Sequence, residues 1–119
     1  MILTCLLLVL LSLVMSTCSS VQVPTPTYVT PSAPTDHAAI VNGAKSAAGE
    51  AHLAPPFEVS AVRPTDHGLG RYYVCVRGTS TRTGKRDTYV AFFDNNTYKG
   101  SRNSVIIEAC ETQAYEPLP

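Results

Sequence analysis

The feature that most limits what this chain can fold into stands at its front. Residues 1–15, Met-Ile-Leu-Thr-Cys-Leu-Leu-Leu-Val-Leu-Leu-Ser-Leu-Val-Met, form an apolar run without a charge. A helix that crosses a bilayer takes roughly 20 such residues, whereas the core of a signal peptide takes about 7 to 15. The run therefore reads as an export signal, residues 1–17, and is lost to the fold. The next stretch is lost as well. From Ser19 to Pro34 the chain places Pro24, Pro26, Pro31 and Pro34 among Thr, Ser and Val, again with no charged residue. That composition favours extended polyproline II at about 3.1 Å per residue, a spacer of roughly 45 Å. What is left is one domain, residues 35–119, of about 70 to 85 ordered residues. A core of that size is small and commonly needs a covalent staple.

The sequence Leu13-Val14-Met15-Ser16-Thr17-Cys18 resembles the lipobox of bacterial lipoproteins, in which small residues precede a cysteine that becomes the acylated first residue of the mature chain. The resemblance makes Cys18 the site of lipid (palmitate) attachment and residues 18–34 a tether between membrane and domain. It departs from the usual pattern in three places: Thr17 is larger than the Gly, Ala or Ser normal before the cysteine, Met15 replaces Leu, and no Lys or Arg precedes the apolar run. Each buried methylene of an acyl chain adds about 0.8 kcal/mol of membrane affinity, so two or more chains hold a protein firmly. The location expected is the bacterial cell envelope, lipid-anchored and facing the periplasm or exterior. The alternatives are general signal-peptidase cleavage near Ser16, which releases a soluble secreted protein, and an uncleaved anchor.

Within the domain the hydrophobic period changes once. From Asp36 to about Ala51, His37, Ile40, Val41, Ala44, Ala48 and Ala51 fall on one helical stripe, with Thr35 or Asp36 as the N-cap. Gly43 and Gly49 each cost such a helix up to about 1 kcal/mol against alanine, and Pro55-Pro56 bars it from continuing. Beyond the prolines the period is two. Phe57–Arg63, Arg71–Arg77, Thr88–Phe93 and, more weakly, Thr97–Ser101 read as strands, the last two joined by a tight Asp94-Asn95-Asn96 turn. The second and third strands carry apolar residues on both faces, so they should lie at the centre with material packed on each side. Ser104–Gln113 fits either a strand or a short helix with Val105, Ile106, Ala109, Cys110 and Gln113 inward, and the helix is favoured. Tyr115–Pro119 should be irregular. The fold class is α+β: a small antiparallel β-meander of three to four strands with one or two short helices, stapled by one disulfide.

The staple is set by cysteine arithmetic. Once Cys5 leaves with the signal and Cys18 is acylated, Cys75 and Cys110 remain in an oxidising compartment, where a bridge of this span contributes about 2 to 4 kcal/mol. A reactive redox pair normally shows Cys-x-x-Cys spacing, absent here. Pro-Thr-Asp-His occurs twice, at Pro34–His37 and Pro64–His67, and His52 is the third histidine. Their spacing of about fifteen residues lacks the short intervals of a metal motif, so capping and turn formation explain them better and no metal or cofactor is expected. Ser, His and Asp are present without a Gly-x-Ser-x-Gly elbow, and Glu108 and Glu111, one turn apart, read as a solvated face. No catalytic residue is assigned.

Charge excludes one class of partner. Lys plus Arg and Asp plus Glu both number 9, so the positive excess that neutralises phosphates is missing and no nucleic acid is expected. Positive charge does gather between the second and third strands, where Arg77, Arg82, Lys85 and Arg86 surround a Gly/Thr/Ser-rich connector; an anionic partner, lipid headgroup or wall polymer could meet them there. Asn95-Asn96-Thr97 matches the N-glycosylation pattern, relevant only in a eukaryotic secretory pathway.

Tyr72-Tyr-Val-Cys-Val-Arg-Gly78, Tyr89-Val-Ala-Phe-Phe93, Arg102 with Ser104-Val-Ile-Ile-Glu-Ala-Cys110, and Tyr115-Glu-Pro-Leu118 together resemble small proteobacterial envelope lipoproteins with no assigned function. The resemblance spans about Pro56 to Leu118. It implies export, anchoring and the cysteine pair, and transfers no catalytic residue. The function expected is a membrane-tethered, non-enzymatic binding or structural module, with an envelope protein or cell-wall component as partner. The alternatives are an inhibitor of a cell-wall hydrolase such as lysozyme and a small metal-dependent hydrolase using His37, His52 or His67.

Overall fold

In the computed structural model residues 18–119 are described; the apolar leader, and with it the signal-peptide reading, lies outside them. Among the described residues no helix is long and apolar enough to cross a membrane. The elements are α1 (His37–Glu50), β1 (Leu53–Ser60), β2 (Arg63–Pro64), β3 (Tyr72–Ser80), β4 (Arg86–Asp94), β5 (Thr97–Asn103), two 3-10 turns at Ile106–Glu108 and Cys110–Thr112, and β6 (Tyr115–Pro117). The class is α+β, as expected, with an antiparallel sheet in the order β5-β4-β3-β1-β6, and β2 also pairing with β3. The four expected strands are its body. The two additional ones, β2 and β6, are two and three residues long.

β3 and β4 are central because both of their faces are covered. On the first face Val74, Val76, Ala91 and Phe93 pack under Ala44, Ala47 and Ala48 of α1, with Leu53. On the second face Tyr73, Cys75, Val90 and Phe92 pack with Cys110. The alternation of side chains along a strand divides each apolar run between these layers. The helix lies close because its inward residues are small. A Cβ placed on Gly43 would stand 2.5 Å from the Phe93 ring, so the glycine that weakens the isolated helix is what lets the ring fit beneath it. Asp36 caps α1 by accepting from the Ala38 N–H at 3.0 Å. His37, expected on the inward stripe, is exposed at the first turn. α1 ends at Ala51, as its stripe predicts and before the prolines are reached, and His52 turns the chain with φ 55°. The two prolines sit inside β1, where the ladder to β3 is interrupted between Ala54 and Glu58 and the missing N–H groups cost no pairing.

Two expectations at the C-terminal end are corrected. Ser104–Gln113 is not one short helix but two 3-10 turns separated by Ala109 at φ 49°, because the chain must bend there to bring Cys110 down onto Cys75. The tail is not irregular: Tyr115, Glu116 and Pro117 pair with Ser60, Val59 and Glu58 of β1, and the Leu118 N–H donates to the Phe57 carbonyl at 2.9 Å. The pairing partner lies more than fifty residues upstream, and Pro117 can occupy this position because β6 is an edge strand.

The tether is docked at its C-terminal end. Asn95 Oδ1 accepts from the Ser32 N–H and hydroxyl, both at 2.9 Å, and the Asn95 N–H donates to the Ser32 carbonyl at 2.9 Å. Asn96 Oδ1 accepts from the N–H groups of Thr35 at 2.9 Å and Asp36 at 3.0 Å. Pro34 is buried. Nearer its N-terminal end, Arg71 Nη2 donates to the Tyr28 hydroxyl at 3.3 Å.

Candidate functional site

The most distinctive surface lies over the second face of the sheet. After β5, residues 104–114 form a strap that crosses from the β5 edge to the β1 edge, where β6 begins. Four contacts fix it. The Cys75–Cys110 disulfide, Cα to Cα 5.7 Å, ties it to β3, and it is the chemistry of an oxidising, non-cytoplasmic compartment. The Tyr73 hydroxyl donates to the Glu108 carbonyl at 2.9 Å and the Tyr115 hydroxyl to the Cys110 carbonyl at 2.7 Å. Burial, first of all, raises the pKa of both phenols, so both remain donors throughout the neutral range.

The fourth contact is an ion pair. Glu108, expected on a solvated face, is 1% exposed. Its Oε2 accepts from the Val105 N–H at 3.3 Å, and its Oε1 faces the Arg102 guanidinium in an ion pair rather than an aligned hydrogen bond. Arg102 lies over the Phe92 ring, 4.9 Å from its centroid, and its Nη2 donates to the His67 carbonyl at 3.3 Å. One guanidinium thus joins the strap to the loop between β2 and β3. That loop hugs the same face, since a Cβ on Gly68 would overlap the Phe92 ring.

This rigid backbone presents apolar side chains to solvent. Ile106 is 96% exposed, and Val105, Ile107 and Leu69 are also exposed. Val105 and Ile106 were expected to point inward on a helical stripe; the 3-10 geometry turns Glu108 and Cys110 in and these residues out. Leu69 lies on the same face of the sheet, because its Cδ1 would touch a Cβ on Gly100, and Gly100 pairs with Phe92 on the second face. A hollow of about 360 Å³ runs along the strap between Val105 and Thr112. Such a surface can bury apolar area against a partner.

The residues singled out from sequence are dispersed. Cys18 is exposed and unbridged at the far end of the tether. Arg77, Arg82, Lys85 and Arg86 do not form one patch. Arg77 and Arg86 share Glu58, at 3.4 and 3.5 Å; Arg77 also lies 3.8 Å from the Tyr115 ring centroid, and Arg86 donates to the Pro56 carbonyl at 2.9 Å. Only Arg82 and Lys85 of the four lack an ion-pair partner among the described residues. His37, His52 and His67 lie on α1, in the turn after it and in the β2–β3 loop, and His67 pairs with its neighbour Asp66 at 3.1 Å. Among the described residues no group of three or more His, Cys, Asp and Glu could hold a metal ion. Arg102, Glu108 and the apolar strap were missed. The available signal was Val105-Ile-Ile107 packed between polar residues beside a cysteine, a hydrophobic cluster with no period of its own.

Comparison of the chain with protein-family models, with curated proteins and with solved structures found no match.

Proposed function

We propose that this protein is an exported lipoprotein of the bacterial envelope, tethered through Cys18, that acts as a non-enzymatic binding module through the surface formed by Leu69 and Val105–Ile107. The observation that supports it is the contrast between what is exposed and how firmly it is held. Large apolar side chains in contact with water cost free energy unless something covers them for part of the time, and here Val105, Ile106 and Ile107 are carried on a strap fixed by a disulfide, an ion pair and two phenolic hydrogen bonds. A preorganised apolar contact of this kind loses little conformational entropy when it binds. The lipobox-like Cys18 and the proline tether supply the anchor.

The test places a photo-crosslinking amino acid at position 106 and, in separate strains, at Lys45 on the outer side of α1. Adducts formed in intact cells at 106 and not at 45, and lost on Ile107→Asp, are the expected result. Equal adducts at both positions, or none at either, would remove this reading.

A further inference from the structure

Taking the binding surface just described as its basis, we infer that what covers it is the lipid bilayer that anchors the chain. Three observations point there. First, every exposed large apolar side chain in the described residues belongs either to the tether (Val21, Val23, Tyr28, Val29) or to the second-face surface (Leu69, Val105, Ile106, Ile107). The outer side of α1 and the Thr81–Lys85 hairpin carry none. Apolar exposure is thus confined to one side of the molecule and to the chain that leads to the membrane.

Second, the tether leaves the domain beside Leu69, at one edge of this face. Tyr28 and Leu69 wall the same hollow of about 160 Å³, with Arg71 and Asp94. Upstream of Tyr28 only about ten residues separate the domain from Cys18, a reach of about 30 Å at polyproline rise. The full tether had been expected to lift the domain higher. With Ser32 held by Asn95 and Tyr28 by Arg71, the short remainder keeps Leu69 near the headgroups, and the second face can lie against them.

Third, tethering changes how much affinity is needed. Contact with the bilayer becomes intramolecular once Cys18 is acylated, at an effective concentration set by the free arm, so a few apolar side chains suffice where an untethered domain would need many. Arg63, which pairs with Tyr73, and Arg71 are exposed at the border and can keep their charges among headgroups while their stems lie along apolar surface.

The chain contains no tryptophan, so a single indole reports its own surroundings. Acylated full-length mature protein carrying Ile106→Trp, Lys85→Trp or Lys45→Trp would be reconstituted into vesicles of phosphatidylglycerol and phosphatidylcholine with brominated acyl chains. The expected result is a blue-shifted emission and at least twofold stronger quenching for Ile106→Trp than for the other two, weakened when Ile107→Asp is added. Equal quenching at all three positions overturns the inference. If that occurs while the crosslinker at position 106 still forms protein adducts in cells, a protein partner covers the surface and the binding-module reading stands. If both experiments fail, both readings fall.

Discussion

Removing the Arg102 guanidinium would leave the Glu108 carboxylate buried with only the Val105 N–H to face it. Breaking a buried pair from one side is costly because the remaining charge cannot be solvated. Arg102→Met should therefore destabilise the fold by about 3 kcal/mol, the lower end of the usual range, because the arginine keeps a third of its side chain in water. The urea midpoint measures it. Arg102→Met combined with Glu108→Leu should recover most of the loss, since an apolar pair of similar volume carries no desolvation penalty; if the double variant is as unstable as the single one, the ion pair is not what holds the strap. The sequence named both without joining them, Arg102 within the resemblance and Glu108 on an expected solvated face. An Arg six residues before a Glu fits a strand, a helix or a loop equally well, and only the strap's path across Phe92 brings them together.

At the scale of elements, the Asn95-Asn96 turn between β4 and β5 was legible, because asparagines tolerate the positive φ that Asn95 adopts, 53°. Its second role was not. The two side-chain carbonyls accept N–H groups from Ser32, Thr35 and Asp36, some sixty residues upstream, and no local pattern encodes that meeting. Asn96→Ala removes the acceptor shared by Thr35 and Asp36 and should cost about 1 kcal/mol, with faster amide exchange at both positions and earlier proteolytic cleavage within residues 28–36. Unchanged exchange there would show that the docked tether is not held by this turn. The same distinction explains β6. Its three residues pair with β1 through the backbone, which any sequence can do, so composition marked the segment only as turn-rich and proline-bearing.

At the scale of the whole molecule, the staple and the buried phenols set how stability responds to conditions. The disulfide spans 35 residues, and its reduction should cost about 3 to 4 kcal/mol, with the unfolding midpoint lowered accordingly. Cys75→Ala paired with Cys110→Ala should match the reduced wild type, and insensitivity of the midpoint to reductant would contradict this. Tyr73, Tyr98 and Tyr115 all have pKa values raised above the ordinary phenol value of 10.0, chiefly by burial. A raised folded-state value means that the unfolded chain loses these protons first. The contribution is complete below about pH 10 and is lost as pH rises through the folded values. Stability measured by urea should thus be flat through neutrality and fall above about pH 10, and Tyr73→Phe should blunt that fall.

The sequence by itself determined the features that composition and period dictate: a proline-rich, charge-free stretch before the domain, one helix capped by Asp36, four strands of which the middle two are apolar on both faces, and a pair of cysteines suited to a bridge. These depend on neighbours in the chain, whose spacing is written in the residue order. The tertiary structure decided which residues share the second face. It turned Val105 and Ile106 outward, buried Glu108 beneath Arg102, divided the basic cluster by giving Arg77 and Arg86 to Glu58, and fastened the tether to a turn. Each of those outcomes rests on contacts between distant segments, where burial and charge pairing depend on the path of the backbone.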